Sequence, residues 1–155
     1  MMMRLCSDVI RSLAGQTLVT AESCTGGGIG AALTAVPGSS SVFKGGIISY
    51  TNWVKENVLN VPADMLQTYG AVSSQVAQAM AEGARTVLQA DIAVSVTGLA
   101  GPSGDEFGNP VGTVYIGYAD GYGAKAYAYQ FTGDREEIRN AAISAALGIV
   151  LCEIS

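Results

Sequence analysis

Histidine is absent from this sequence of 155 residues, so a single chain cannot form a Ser-His-Asp or Cys-His catalytic group. Any activated nucleophile must therefore use a different base. A lysine can serve when its surroundings lower its pKa, because a desolvated amine is partly neutral near pH 7. The sequence contains only three lysines, Lys44, Lys55 and Lys125, so a lysine base within one chain is one of these side chains.

Charge is also scarce in this chain. Charged residues make up 14% of it, with 8 Lys and Arg against 13 Asp and Glu and a formal net charge of -5. This balance argues against a nucleic-acid partner, because affinity for a phosphate backbone needs a face rich in Lys and Arg. A hydrophobic content of 49% predicts one domain over residues 1–155 with a sizeable core. The low charged fraction and the excess of Ala and Gly predict a homodimer or larger homo-oligomer that buries part of its surface.

The three cysteines, Cys6, Cys24 and Cys152, are odd in number and lack C-x-x-C spacing. They support neither a disulfide framework nor a zinc site, so we expect no metal and a reducing compartment, most simply the cytoplasm. No apolar run approaches the ~18 residues of a membrane-spanning helix. Residues 1–4 also lack the apolar segment and cleavage site of a secretory signal, and we expect no membrane partner.

The order of apolar runs and turn residues predicts an α/β protein: a three-layer α/β/α sandwich with a mixed, mostly parallel sheet and one antiparallel hairpin. The hairpin is predicted at Asp120-Gly121, and Asp134 with Glu137 resembles the capping box of a last helix. Periodicity places the other elements. They are a helix ending before Gly15, a strand over 17–21, a helix from Thr25 to about 36, a strand over 46–50, a short helical turn with Lys55, a helix over 63–69, a helix capped by Ser73 or Ser74 and reaching about 88, and strands over 91–97, 112–118 and 124–131.

The run from Glu22 to Gly28 places two hydroxyls, a thiol and bare backbone where the first predicted strand turns into a helix. Glycines let a ligand approach the main chain, and unpaired N–H groups at a helix start attract phosphate, carboxylate or a developing oxyanion. Ser23 is therefore either a nucleophile beside an anion hole or simply the N-cap of the helix. Thr25 is the plainer cap, and Cys24 ranks second as a nucleophile because its thiolate would rely on the helix end.

Three loops follow predicted parallel strands, and each begins with polar residues or glycine: Glu22-Ser23, Thr51-Asn52 and Gly98. Ligand sites in such sheets lie outside the carboxyl ends of the parallel strands, so we expect these loops to converge. The third loop is rich in glycine from 98 to 104 and can wrap a ligand. It lacks the G-K-[ST] ending of a P-loop and the spacing of a dinucleotide fingerprint, so ATP and NAD are not expected as cofactors.

The position of each lysine separates the three candidate bases. Lys55 lies one helical turn past Thr51, on the segment that leaves a buried strand, and we prefer it. Lys44 lies in an exposed-looking turn and Lys125 in a hairpin strand, where a solvated lysine is the usual outcome. Tyr50, at the strand end, can orient a base or a ligand, although a half-buried tyrosine is the default.

A single arginine also points to an anionic ligand. Arg135 is predicted in the first turn of the last helix, where a cation opposes the helix dipole, so an anionic partner explains it better than helix stability does. The neighbouring Glu136 and Glu137 are the alternative partners.

Six short motifs follow one another along the chain. They are Ala21-Glu22-Ser23-Cys24-Thr25-Gly26-Gly27, Tyr50-Thr51-Asn52-x-x-Lys55, Gly70-Ala71-Val72-Ser73, Thr97-Gly98-Leu99-Ala100-Gly101-Pro102, Pro110-Val111-Gly112-Thr113-Val114 and Gly133-Asp134-Arg135. As an ordered set they are highly specific, and they resemble the CinA C-terminal domain over nearly the whole chain. The resemblance is to a stand-alone form, without the N-terminal domain that some relatives carry.

The resemblance implies a nicotinamide-nucleotide amidohydrolase, which converts nicotinamide mononucleotide and water to nicotinate mononucleotide and ammonia in pyridine-nucleotide salvage, without a metal or cofactor. It also implies Ser23 as the nucleophile, Lys55 as its base and Tyr50 as a nearby helper. Arg135 is then a phosphate-binding or site-closing candidate. The residues expected around the substrate are Thr25, Gly26, Gly27, Asn52, Thr97, Gly98 and Gly101. A non-catalytic domain that senses a phosphorylated nucleotide and acts through an oligomer remains the alternative.

Overall fold

The computed structural model describes residues 1–155, along which five strands and six α-helices follow one another. The strands are β1 (Leu18–Glu22), β2 (Phe43–Ile48), β3 (Ile92–Gly98), β4 (Thr113–Asp120) and β5 (Gly123–Gln130). The helices are α1 (Met2–Ser12), α2 (Gly28–Thr34), α3 (Asn52–Asn57), α4 (Ala63–Tyr69), α5 (Ser74–Val87) and α6 (Arg135–Ile154), with a 3-10 turn over Ser39–Ser41.

One sheet contains all five strands, in the order β2-β1-β3-β4-β5. β1 pairs in parallel with β2 and β3, whereas β4 is antiparallel to both β3 and β5. Four strands therefore run in one direction and β4 alone runs in the other, which confirms the mixed, mostly parallel sheet. The predicted hairpin joins β4 to β5. Asp120 pairs with Gly123, so its two-residue loop is Gly121-Tyr122, one position later than predicted.

Helices cover both faces of the sheet and produce the three-layer sandwich. Successive residues of β1 point to opposite faces: Leu18 joins an apolar cluster with α1, α2 and α6, and Val19 joins a second cluster with α5. The surface of α5 that meets the sheet is built from small side chains, including Ala77, Ala81 and Ala84, all fully buried. Such residues let a helix pack closely on the strands that position the site.

The start of α2 differs from the sequence prediction. The helix begins at Gly28 rather than near Thr25, because Gly26 and Gly27 have φ values of 59° and 96°, outside the right-handed helical region. Gly27 is its N-cap, and it has no side chain with which to cap the helix. The interpretations of Thr25 and Ser23 as capping residues are therefore wrong.

Two other helix starts agree with their predicted caps. Ser73 caps α5, with its hydroxyl oxygen 3.3 Å from the Val76 N–H that donates to it. Asp134 and Glu137 form the predicted capping box of α6, in which each side chain accepts the other residue's main-chain N–H. The starts of α5 and α6 are thus set by capping residues that neighbouring sequence encodes.

Lys44 is not in a turn as predicted, because β2 begins at Phe43 and includes it. Its side chain is exposed, and Nζ donates to the Gln89 carbonyl oxygen at 3.0 Å. Gln89 precedes β3, so this contact lies at the amino end of the parallel strands, away from the loops that follow them. No helix of the structure has the length and apolar character needed to span a membrane.

Candidate active site

Main-chain hydrogen bonds bring the ends of the three parallel strands together. The Ser23 N–H donates to the Val96 carbonyl of β3 at 2.9 Å, and the Ser49 N–H, just past β2, donates to the Glu22 carbonyl at 2.8 Å. The carboxyl ends of β1, β2 and β3 are thereby held side by side. Ser23, the first residue after β1, lies between the ends of β2 and β3 and is 7% exposed.

Lys55 reaches this point from α3 and is 1% exposed. Its Nζ lies 3.0 Å from Ser23 Oγ, 2.8 Å from the Ser49 carbonyl oxygen and 3.3 Å from the Tyr50 carbonyl oxygen. A neutral amine has two N–H donors and one lone pair, so it can donate to the two carbonyls and accept the Ser23 proton. The distance suits transfer of a proton from the serine hydroxyl to the amine.

Burial makes the Lys55 amine a usable base. Desolvation lowers the pKa of Lys55 from 10.5 to about 8, because the buried site disfavours its charged form. No carboxylate forms an ion pair with it. The same burial raises the pKa of the Cys24 thiol to about 11, so the thiolate is scarce near neutral pH. Of the two candidate nucleophiles, Ser23 has a lysine amine within hydrogen-bond distance of its side chain and Cys24 does not.

The turn after Ser23 offers a main-chain donor for an oxyanion. The Gly26 N–H donates to the Ser23 carbonyl at 3.0 Å, and in a planar trans peptide the following N–H, that of Cys24, points the opposite way. The Cys24 N–H donates to no other residue, and Cys24 lines the cavity described below. Its position matches that of an oxyanion-hole donor next to a nucleophile.

The helix start itself is not an anion site, contrary to the sequence prediction. The buried Glu22 carboxylate accepts the N–H groups of Ile29 and Gly30 at 2.8 and 3.0 Å, which fills the positive end of α2. It also accepts the hydroxyl protons of Thr20 and Thr25 at 3.1 and 2.7 Å. Glu22 thus ties the end of β1 to α2 and leaves Ser23 beside the cavity.

A cavity of about 310 Å³ opens over Ser23 and Lys55. Eight residues predicted for the site line it: Ser23, Tyr50, Asn52, Lys55, Thr97, Gly98, Gly101 and Arg135. Leu99, Ala100 and Ser103 of the predicted glycine-rich loop also line it, as do Ala71 and Val72, which the sequence did not single out as site residues. A larger cleft of about 410 Å³ lies between α4 and α5, but no nucleophile there has a base beside it, so the smaller cavity is the candidate active site.

Three of the predicted residues do not line the cavity: Thr25, Gly26 and Gly27. Thr25 is fully buried and its hydroxyl is used by Glu22. Thr97 lines the cavity, but its hydroxyl donates to the Ala71 carbonyl at 2.7 Å and so holds the neighbouring loop rather than a ligand.

No group of three or more His, Cys, Asp or Glu side chains is arranged to hold a metal ion.

Arg135 spans the mouth of the cavity. Its guanidinium donates to the Gly101 carbonyl and, at 3.4 Å, to the Tyr50 hydroxyl. Neither Glu136 nor Glu137, the alternative partners, forms an ion pair with it. Tyr50 is 59% exposed rather than half-buried, since its ring stands at this opening. Arg135 therefore presents a positive charge without a protein counter-ion at the entrance.

Arg139 is a site residue that the sequence reasoning missed. It lies one turn after Arg135 on α6, and its guanidinium donates to the Cys24 carbonyl at 3.0 Å and to the Thr25 carbonyl at 3.2 Å. The available signal was the spacing of four residues between the two arginines, which puts both on one face of a helix. Ser49, which contributes only its carbonyl to Lys55, carried no such signal.

The fold and the site together define an α/β protein with a buried Ser-Lys pair at the carboxyl ends of its parallel strands. A family model for the CinA C-terminal domain matches residues 3–154. A CinA-like protein from Parasynechococcus marenigrum (strain WH8102) is 56% identical over 121 residues, 78% of this chain and 29% of that protein. A putative competence-damage inducible protein from Desulforamulus reducens is 50% identical over 134 residues, 86% of this chain and 32% of that protein. This chain belongs to the CinA family.

Solved structures agree with this assignment. A CinA superfamily protein from Klebsiella pneumoniae 700603 has a TM-score of 0.96 and 35% identity, and the match covers 99% of this chain and 98% of that one. A competence/damage inducible protein from Agrobacterium tumefaciens has a TM-score of 0.93 and 39% identity, covering 97% and 94% of the two chains. The chain spans roughly 30% of the length of the curated relatives above, which are longer proteins.

Proposed function

We propose that this chain is an amidohydrolase that deamidates nicotinamide mononucleotide to nicotinate mononucleotide and ammonia, with Ser23 as the nucleophile and Lys55 as its base. One observation carries the proposal: in a chain without histidine, a lysine that is 1% exposed lies 3.0 Å from the hydroxyl of a buried serine. A pKa of about 8 leaves a useful fraction of that lysine neutral near pH 7.

The reaction uses this pair twice. Neutral Lys55 accepts the Ser23 proton as the serine oxygen attacks the carboxamide carbon, and the Cys24 N–H receives the oxyanion. The Lys55 ammonium then protonates the leaving nitrogen, ammonia departs, and an ester to Ser23 remains. Water gives its proton to the same amine and attacks the ester. Nicotinate mononucleotide leaves as Ser23 regains its proton, so the sum is one amide and one water converted to acid and ammonia.

The cavity supports a small anionic substrate. Its volume of about 310 Å³ is at the lower end of the range for small-molecule sites, and the only cations that line it are Lys55 and Arg135. Lys55 is used as the base, so the phosphate of the substrate is assigned to Arg135 at the entrance. The phosphate-free nicotinamide riboside is expected to react far more slowly for this reason.

Ammonia release from nicotinamide mononucleotide by wild type, Ser23→Ala and Ser95→Ala tests the proposal. Ser95 is the matched control, since its buried hydroxyl donates to the Ala77 carbonyl and has no lysine beside it. Wild type and Ser95→Ala are expected to release ammonia, and folded Ser23→Ala to release none. Ammonia release by Ser23→Ala at the wild-type rate excludes Ser23 as the nucleophile. Saturable binding of the nucleotide without turnover by wild type favours the sensor alternative.

Hydroxylamine tests the ester intermediate separately. An ester to Ser23 can transfer its acyl group to hydroxylamine, forming the hydroxamate and restoring the serine hydroxyl. Wild type given both nicotinamide mononucleotide and hydroxylamine is expected to form this hydroxamate. Failure to form it while ammonia is released at the usual rate would argue for direct attack by water, with Lys55 acting on water instead of on Ser23.

A further inference from the structure

Arg139 contacts the turn over residues 24–26 without lining the cavity. Its Nε and Nη2 donate to the carbonyl oxygens of Cys24 and Thr25, and it is not among the residues that line the cavity. A Cβ added to Gly26 would lie 3.4 Å from Arg139 Nη2, so the guanidinium rests against bare backbone. The side chain is half-buried and has no carboxylate partner.

This placement is unfavourable for α6 taken alone. Arg135 and Arg139 are like charges four residues apart, and Arg135 is in the first turn, where the helix dipole opposes a cation. Each guanidinium is instead satisfied by carbonyl oxygens of loops at the site, Gly101 for Arg135 and the 24–25 turn for Arg139. The position of Arg139 on α6 is therefore explained by its contacts with the 24–25 turn rather than by helix stability.

The two hydrogen bonds of Arg139 hold the carbonyls of Cys24 and Thr25, which directly follow the Cys24 N–H, the proposed oxyanion donor. Ser23 and Gly26 close the turn through the Gly26 N–H, and Arg139 holds the two carbonyls between them. A planar guanidinium that binds two acceptors fixes their orientation more strongly than a single ammonium does. With the carbonyls of Ser23, Cys24 and Thr25 all held, rotation of the peptide group that carries the Cys24 N–H is restricted.

We infer that Arg139 is a positioning residue for the proposed reaction: it holds the 24–26 turn so that the Cys24 N–H and the Ser23 oxygen face the same substrate carbonyl. It contacts neither the substrate nor the reacting atoms. The inference rests on the proposed function, because it assigns the turn a role in the transition state. The anchoring of α6 does not depend on Arg139, since Ile138, Ala142 and Leu147 bury the helix against the sheet.

Kinetics of Arg139→Met and Arg139→Lys with nicotinamide mononucleotide test this role. A displaced turn lowers kcat by about 10- to 100-fold for Arg139→Met and less for Arg139→Lys, while KM changes by less than about threefold, because the binding contacts remain. Arg85→Met is the matched control, since Arg85 is also half-buried and its Nε donates to a carbonyl, that of Asp91, at 3.0 Å and far from the site. It is expected to keep the wild-type kcat.

Chemical rescue separates positioning from general stability. In Arg139→Ala, guanidinium ion at low millimolar concentration can occupy the vacated position and restore part of kcat, whereas ethylammonium, which lacks the planar fork, restores less. Thermal unfolding of each variant is measured alongside. A folded Arg139→Met with wild-type kcat overturns the inference, as does a kcat loss in Arg139→Ala that guanidinium leaves unchanged.

A fluorophosphonate keeps the test independent of the substrate assignment. Ser23 Oγ forms a bond to phosphorus, fluoride leaves, and Lys55 takes the proton, so the rate reports the activated serine and its N–H donor without any nucleotide. If wild type is labelled but releases no ammonia, the proposed substrate is wrong, and slower labelling of Arg139→Met still supports the inference. Equal labelling of wild type and Arg139→Met overturns the inference alone. Absence of labelling in wild type overturns both.

Discussion

Lys55 and Lys125 are the same side chain in opposite surroundings. Lys55 lies under the carboxyl ends of the parallel strands, is 1% exposed and contacts only uncharged oxygen atoms. Lys125 lies on the edge strand β5, its side chain is 61% exposed, and its Nζ is 2.8 Å from the Glu153 carboxylate. Burial lowers the pKa of Lys55 to about 8, whereas the hydrogen bond to Glu153 raises the pKa of Lys125.

The difference shows how this fold lowers the pKa of one lysine, which the proposed mechanism uses as its base in place of histidine. A carboxylate beside Lys55 would stabilise the ammonium and keep its proton in place, as Glu153 does for Lys125. Carbonyl dipoles hold the amine in position without supplying a full negative charge. The site therefore depends on the absence of a carboxylate beside Lys55 as much as on the Ser23 hydroxyl that Lys55 contacts.

The largest expected effect is the loss of the buried amine. Lys55→Met should lower the rate of ammonia release by about 10²- to 10⁴-fold, the range for removing a general base, because Ser23 then has no proton acceptor. Lys125→Met is the control and should retain the wild-type rate. Steady-state ammonia assays on both variants check this contrast, and equal rates would show that burial of Lys55 has no catalytic consequence.

The pH dependence should reveal the lowered pKa of Lys55. The base must be neutral, and the neutral fraction grows as pH rises, so kcat/KM should increase about tenfold per pH unit below about 8 and level off above it. The measurement is ammonia release from pH 6 to 9.5. A flat profile below pH 8 would mean that the group losing its proton is not Lys55.

Cys24→Ala should have a much smaller effect. With the thiol pKa raised to about 11, almost no thiolate is present at pH 7.5, so ammonia release should stay within about threefold of wild type. The main-chain N–H of residue 24 is retained in this variant. Complete loss of ammonia release from a folded Cys24→Ala protein would instead identify the thiol as the nucleophile.

The smallest effect is expected at the exposed lysine. Glu153→Gln removes the ion pair with Lys125 and weakens the contact with the Tyr127 hydroxyl, so the thermal unfolding temperature should fall by about 1–3 °C while ammonia release is unchanged. The difference from wild type should shrink in 0.5 M salt, which screens exposed charges. Altered ammonia release would mean that the two ends of the sheet are coupled.

Much of the fold was predictable because its signals are local. The alternation of helices and strands, the Ser73 cap and the Asp134–Glu137 capping box all depend on residues within a few positions of one another. The start of α2 was mispredicted because Gly26 and Gly27 have positive φ values and delay the helix. The Glu22 carboxylate, seven and eight residues before Ile29 and Gly30, then accepts their N–H groups in place of a capping hydroxyl.

The candidate site was only partly predictable. Strand ends and loop composition indicated Ser23 and Lys55 as site residues, and the structure brings them within hydrogen-bond distance. The contacts of Arg139 with the 24–25 turn span more than 110 residues of sequence, and no local pattern encodes them. Thr25 was placed around the substrate, although the structure buries its hydroxyl against Glu22, three residues earlier in the chain.

The sequence by itself determined the order of the elements, the exclusion of a histidine base and the presence of a hydroxyl where β1 ends, since each follows from residue types and short spacings. Only the tertiary structure decided which lysine is buried, which groups surround its amine and which arginine holds the turn. A pKa and a hydrogen bond depend on distance and solvent access. Both are set only when the chain folds and α3 and α6 bring Lys55 and Arg139 beside the carboxyl ends of the parallel strands.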